Sequence, residues 1–142
     1  MRRREFLALL LSGAANDLCS AVRAEQIAPV RRVGILMVAS RSAALSASHP
    51  SGEFLRGMRD LGYVEGRDFA IEWKFADFDY QKLSRLADEL VALNVDVILT
   101  AFTGATRAAQ KATRTIPIVM AWSTDPVGQG FIASLARPGS RA

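Results

Sequence analysis

The sequence predicts an α/β protein built on a doubly wound parallel sheet, and three observations carry that expectation. Strand-like and helix-like segments alternate from about Val33 to Leu135, the order that yields parallel strands joined by crossover helices. Val33 to Val38, Val95 to Thr100 and Ile116 to Trp122 are almost wholly apolar runs of strand length, which suits strands buried on both faces. Phe69, Ile71, Trp73 and Phe75 instead alternate with Ala70, Glu72, Lys74 and Ala76, the mark of a strand with one buried face.

After a linker containing Pro29, the first strand runs from Val33 to Val38 and gives way to a Ser/Ala-rich loop, Ala39 to Ser51. Ser51 is placed to cap a helix carrying Phe54, Leu55, Met58 and Leu61 at three- and four-residue spacing, with Gly62 to end it. Gly66 turns the chain into the alternating strand. Asp79 can open a helix whose Leu83, Leu86, Ala87, Leu90 and Val91 form an apolar stripe closed by Asn94. An alanine-rich helix from about Gly104 to Thr113 separates the last two strands, and a final helical segment is expected over Val127 to Leu135. The apolar strands belong in the middle of the sheet and the alternating one at an edge, where the second strand of the order 2-1-3-4-5 sits. Both readings give a flavodoxin-like or Rossmann-like half.

The chain has 142 residues, half of them hydrophobic, enough for one domain with a real core. Residues 1–24 read as a leader: MRRREF is a basic start, LALLLSGAA is an apolar stretch too short to span a bilayer, and Val22-Arg23-Ala24 offers a cleavage site. Arg3-Arg4-Glu5-Phe6-Leu7 resembles a twin-arginine signal, and an ordinary secretory leader explains it equally well. The formal net charge is +4; without the leader, 14 basic and 12 acidic residues remain, scattered singly. That is a solvated surface and not a phosphate-binding stripe, so no nucleic-acid partner is expected. Cys19, the one cysteine, falls in the leader, which leaves no thiol chemistry afterwards.

Ligands of such a sheet gather outside the carboxyl ends of its strands. Three loops qualify: Ala39 to Ser51, Ala101 to Thr106 and Ser123 to Val127. They bring Ser40, Ser42, Phe102, Thr103, Gly104, Thr106, Trp122, Ser123, Thr124 and Asp125, groups that suit a small polar solute and do not assemble a catalytic set. No metal site or cofactor is expected. His49 is the only histidine and, with no His or Cys partner, reads as a surface residue. Neither G-x-G-x-x-G nor a Walker A sequence occurs, and Gly128-Gln129-Gly130 follows no strand directly. Asp96 lies at the wrong end of its strand for a receiver-type aspartate. Asp125 can hold a ligand amine or, as the preferred reading, cap the helix expected near Val127. Trp73 and Phe75 read as core, while Phe102 and Trp122 can equally wall a ligand or close the core.

Leu61-Gly62-Tyr63-Val64-Glu65-Gly66-Arg67, the Leu83 to Val91 helix followed by Val95-Asp96-Val97-Ile98, Thr115-Ile116-Pro117-Ile118-Val119, Asp125-Pro126-Val127 and Ser134-Leu135-Ala136-Arg137-Pro138-Gly139 resemble, in order and spacing, the bacterial ABC-transporter substrate-binding family with tryptophan and tyrosine binders. The resemblance implies an exported, periplasmic receptor of the type I periplasmic binding fold, no enzyme, whose two lobes close on a small solute and hand it to a membrane permease. It implies that residues 33–139 are the first lobe, with 25–32 a linker, and that the loops at Ser40 to Ser42, Phe102 to Thr106 and Trp122 to Asp125 contribute to the cleft. Family members continue after Arg-Pro-Gly into a strand and a second lobe, whereas residues 140–142 read Ser-Arg-Ala. The expectation is therefore a shortened receptor, its second lobe missing, with Ile116 to Trp122 left as an apolar edge and with little affinity of its own. The alternative is a stand-alone flavodoxin-like enzyme or sensor domain.

Overall fold

A computed structural model describes residues 29–46 and 49–136. The elements run β1 (Arg31–Met37), α1 (Arg41–Ala44), α2 (Pro50–Asp60), β2 (Phe69–Phe75), α3 (Lys82–Ala92), β3 (Val97–Ala101), α4 (Thr103–Ala112) and β4 (Ile118–Trp122). The four strands form one parallel sheet in the order β2-β1-β3-β4. This is the expected winding, with the alternating strand at one edge and, among the described residues, β4 at the other. The leader expected over residues 1–24, Cys19 and the chain end 140–142 lie outside the described residues.

Side-chain alternation splits the core in two. Leu36, Val38 and Ile98 face α3 and α4, packing with Leu83, Leu86, Leu90, Ala105, Ala108 and Ala109. Val33, Ile35 and Met37 face the opposite way, with Phe54 and Met58 of α2 and the partly buried Trp73, Phe75, Val97, Leu99 and Ala101. Trp73 and Phe75 stack with centroids 5.6 Å apart and belong to this second core. On the other face of β2, Lys74 meets Glu89 of α3 at 2.6 Å and Glu72 meets Arg32 at 2.8 Å.

Local chemistry sets the boundaries. Gly62 at φ +85 ends α2 in a Schellman turn, its N–H donating to the Arg59 carbonyl and that of Tyr63 to Met58. Asn94 takes φ +51 after α3, and the Asp79 carboxylate accepts from the Gln81 amide just before it. Gly34 of β1 is required by packing, since a Cβ there would lie 2.9 Å from Leu90 and 3.2 Å from Val95.

Four expectations are corrected. The loop from Ala39 to Ser51 contains the short α1, capped by Ser40. His49, not Ser51, occupies the N-cap of α2 with Pro50 following it, a placement Pro favours because its missing N–H is an orphan there anyway. β1 begins at Arg31, inside the expected linker, because Arg32 is tied down by Glu72, the Leu93 carbonyl and Asp96. Val127 to Leu135 forms turns and not a helix: Gly130 takes φ +72, and the Asp125 carboxylate engages the Gly128 amide. Phe131 and Ile132 nevertheless bury themselves beside α4, where Gln110 donates to the Phe131 carbonyl.

Replacing Gly34 by valine should overpack the β1–α3 contact and cost about 1–3 kcal/mol, read as a lower urea midpoint at unchanged slope. A second expectation concerns acid. The Arg32 backbone N–H and then Arg31 hold the Asp96 carboxyl below the usual range, as the Lys74 ammonium does for Glu89 and Arg67, then the Val64 amide, for Asp68. A carboxyl depressed on folding adds stability above its unfolded value, about 4, and loses it as pH falls through the folded value. Thermal midpoints should therefore be level from about pH 5 to 8 and drop below about pH 4, with a shallower drop in Asp96→Asn.

Candidate functional site

β3 ends at Ala101, and the next residue, Phe102, turns directly into α4 with φ +70 and ψ 154. That backbone region is favourable for glycine and strained for a side chain by about 1–3 kcal/mol. Its amide donates to the Trp122 carbonyl at 3.0 Å, so β3 and β4 stay paired to their ends. The two rings, each about half exposed, stack with centroids 6.3 Å apart and planes 27° from parallel.

The same turn bares the start of α4. Its N-cap is Phe102, which has no side-chain acceptor to offer. The Thr106 amide bonds to the Phe102 carbonyl, while those of Thr103, Gly104 and Ala105 find no acceptor among the described residues. Three unused donors at the positive end of a helix form a receptive place for a carboxylate.

Beside it lies a cavity of about 300 Å³. It opens between α2 and the carboxyl ends of β1, β3 and β4, bounded by Met37, Phe54, Leu99, Phe102, Ala121 and Trp122, with His49 at the α2 end. Its walls are almost entirely apolar. On this face α2 reaches over β1, while Val119 and Trp122 of β4 stay about half exposed.

The expected site residues therefore divide. Phe102 and Trp122 wall the cavity, and Thr103 supplies the first turn of α4. Gly104 faces α3, where a Cβ would meet the Tyr80 ring at 3.0 Å, so it serves packing. Thr106 is buried, its hydroxyl donating to the Phe102 carbonyl and joined to Thr100 at 2.9 Å, which positions the Phe102 turn. Ser40 and Ser42 bond each other at 3.2 Å at the start of α1 and do not border the cavity. The Ser123 hydroxyl is buried with no partner among the described residues, directly after Trp122. Asp125 is exposed and its carboxylate accepts from the Gly128 amide at 2.8 Å, closing a turn where a helix cap was expected.

Sequence reading missed His49, Met37, Phe54, Leu99 and Ala121 as cavity walls. The His49-Pro50 pair was the available signal, since Pro at N1 makes its predecessor a cap at the end of a loop on the ligand side. Asp96, by contrast, sits at the amino end of β3 against Arg32, as expected.

A parallel sheet with an apolar pocket and a bare helix start at its carboxyl ends is the layout in which α/β folds gather small ligands. Comparison with known proteins makes this specific: the profile of the ABC transporter substrate binding protein family matches residues 32–141, and the chain belongs to that family. It is 34% identical over 96 residues to a tyrosine-binding protein of Clostridioides difficile (strain R20291), covering 64% of this chain and 28% of that protein. Among solved structures it resembles a conserved domain protein from Vibrio cholerae (28% identity, TM-score 0.69, 79% of this chain and 37% of that one). An ABC domain in complex with L-Trp from Streptococcus pneumonia is similar as well (25%, 0.67, 77% and 36%). A ligand-free, open substrate binding protein with adhesive properties from Clostridium difficile shares the fold (24%, TM-score 0.66, 75% and 35%). The chain thus spans 28% of the curated relative and little more than a third of the solved chains.

Replacing Phe102 by glycine removes both the backbone strain and the stacked ring. Strain relief of about 1–3 kcal/mol is set against a lost aromatic pair worth about 0.5–1.5 kcal/mol beyond its area burial and about 0.5–1 kcal/mol of glycine backbone entropy. The variant is expected to melt close to the parent, without the large loss that truncating a core aromatic gives, while the indole N–H resonance of Trp122 moves toward that of a solvated indole.

Proposed function

We propose that this chain forms one wall of the solute site of an ABC importer's capture protein, and that the solute is an amino acid with a large apolar side chain. The observation that carries this is the juxtaposition at the end of β3. Bare amides of Thr103, Gly104 and Ala105 lie next to an aromatic-walled cavity of about 300 Å³. A carboxylate would dock on the helix start, and an apolar body would lie against Phe102 and Trp122. The relatives, one tyrosine-binding and one solved with L-Trp, support the same chemistry. The receptor would be exported by the leader in residues 1–24 and would deliver its solute to a membrane permease.

Capture proteins of this kind tighten by closing two lobes on the ligand, which needs differential contacts from both. The chain, spanning about a third of its solved relatives, is expected to bind alone at roughly millimolar strength, near the weak end of specific affinity. Titration of L-tryptophan and L-phenylalanine into the labelled chain, followed by amide and indole chemical shifts, tests this. Shifts should cluster at residues 102–106 and Trp122; shifts scattered elsewhere, or none, would sink the reading. Thr103→Pro deletes one amide at a position where Pro suits the helix and should weaken carboxylate-bearing ligands about tenfold without loss of helicity.

A further inference from the structure

The solute cavity lies on the α2 side of the sheet, and a second, smaller cleft opens on the other side, between α3 and α4. Its volume is about 170 Å³. Pockets that enclose a whole small molecule run to roughly 300–1,000 Å³, so this cleft suits a single head group. Leu83, Gly104 and Ala108 supply its apolar lining, and Tyr80, Ser84, Arg107 and Lys111 its polar lining. No carboxylate borders it.

Arg107 and Lys111 are four residues apart in α4, which sets them on one face of the helix. Both are exposed. Like charges at this spacing cost about 0.2–0.5 kcal/mol, and neither is paired with a carboxylate among the described residues. The acids of the neighbouring helix are engaged elsewhere: Asp79 meets Lys82 at 3.7 Å, and Glu89 meets Lys74 and Arg85 at 2.6 Å each. Asp88 does not border the cleft. Arg107 is held in place by Gln129 Oε1 at 3.2 Å and by the Phe131 ring, 5.9 Å from its centroid, which leaves most of its five N–H donors unused. The Tyr80 ring rests against α4 where Gly104 has no side chain. Its hydroxyl and that of Ser84 have no partner among the described residues.

We propose that this cleft is a second binding site, one that takes a phosphate group borne by a free ion or by the headgroup of an anionic lipid. Two cations offset the charge, and a guanidinium, an ammonium and two hydroxyls on facing walls offer donors to oxygens on several sides of a tetrahedral group. A flat carboxylate would use fewer of them. Both cations are exposed, so each contact is weak, and inorganic phosphate should bind at roughly millimolar strength. The site is independent of the solute cavity across the sheet. In sequence order its cations stand singly, and only the turn of α4 beside α3 gathers them with Ser84 and Tyr80.

The test titrates inorganic phosphate into the full chain at constant ionic strength, with chloride alone as the reference, and follows amide and arginine side-chain resonances. Shifts should saturate and cluster at Ser84, Gly104, Arg107 and Lys111. Ser84→Ala, which changes no charge, should weaken binding about threefold, and Arg107→Gln combined with Lys111→Gln about tenfold. Arg59→Gln removes an exposed cation from α2 and should leave binding unchanged. All four positions are exposed, so thermal midpoints should hold within the small range of surface substitutions. Vesicles of phosphatidylglycerol separate the two sources. Co-sedimentation that phosphate competes away, and that the paired variant loses, identifies the headgroup; phosphate binding without co-sedimentation identifies the free ion. Shifts that do not saturate, or that chloride reproduces, overturn the proposal. So does binding that Ser84→Ala and the paired variant leave unchanged.

Discussion

The arrangement at the carboxyl end of the sheet depends on one backbone turn. Phe102 must leave β3 and enter α4 in a single step, which forces it to φ +70, and three interactions hold it there. Its amide is tied to Trp122, its carbonyl takes both the Thr106 amide and the Thr106 hydroxyl, and its ring lies on the Trp122 indole. An ordinary Ser or Asp cap at this position would have covered the first amides of α4 with its own oxygen. Phenylalanine cannot, so the same residue that bears the strain leaves the donors bare and supplies the apolar wall beside them.

The sheet is covered unequally, and the cavity follows from that inequality. On one side α3 and α4 seal β1 and β3, closely enough that Gly34 has no room for a side chain under Leu90. On the other side α2 lays Phe54 and Met58 over β1, while Leu99 and Ala121 border open space. The void is therefore a consequence of helix placement and not of small side chains in a closed core. It meets the solvent where the strands end, which is where a solute could reach the bare start of α4.

Much of this was legible in the chain, for identifiable reasons. The strands declared themselves because apolar runs and the Phe69 to Phe75 alternation are direct imprints of two-sided and one-sided burial. Gly62, Gly66 and Asn94 were readable as punctuation because their backbone angles are those that other residues avoid. The candidate site was legible only in part. Phe102 and Trp122 could be placed by following strands to their carboxyl ends, but Thr106 was counted with the loop although it fell within the expected helix, and only the packing of α4 shows it turned inward. His49 was discounted for lack of metal-binding partners, although its meaning lies in a bond to its neighbour Ser51. The segment after Asp125 failed for a different reason. Its apolar spacing is helical, but Gly128 and Gly130 weaken a helix, and Asp125 draws the chain into a turn that still buries Phe131 and Ile132.

For the proposed solute site, the same distribution of roles would favour recognition over retention. Helix-end amides and a half-exposed aromatic pair are preorganised, so they impose little ordering cost on a ligand. They would also leave one side of that ligand in water, where charge-assisted bonds are at their weakest. Removing that water requires a second surface, and burial would then strengthen the amide–carboxylate contact and the stacking contact together. In the solute site proposed above, affinity would accordingly come with closure, and one wall would contribute through the few polar atoms that border an otherwise apolar pocket.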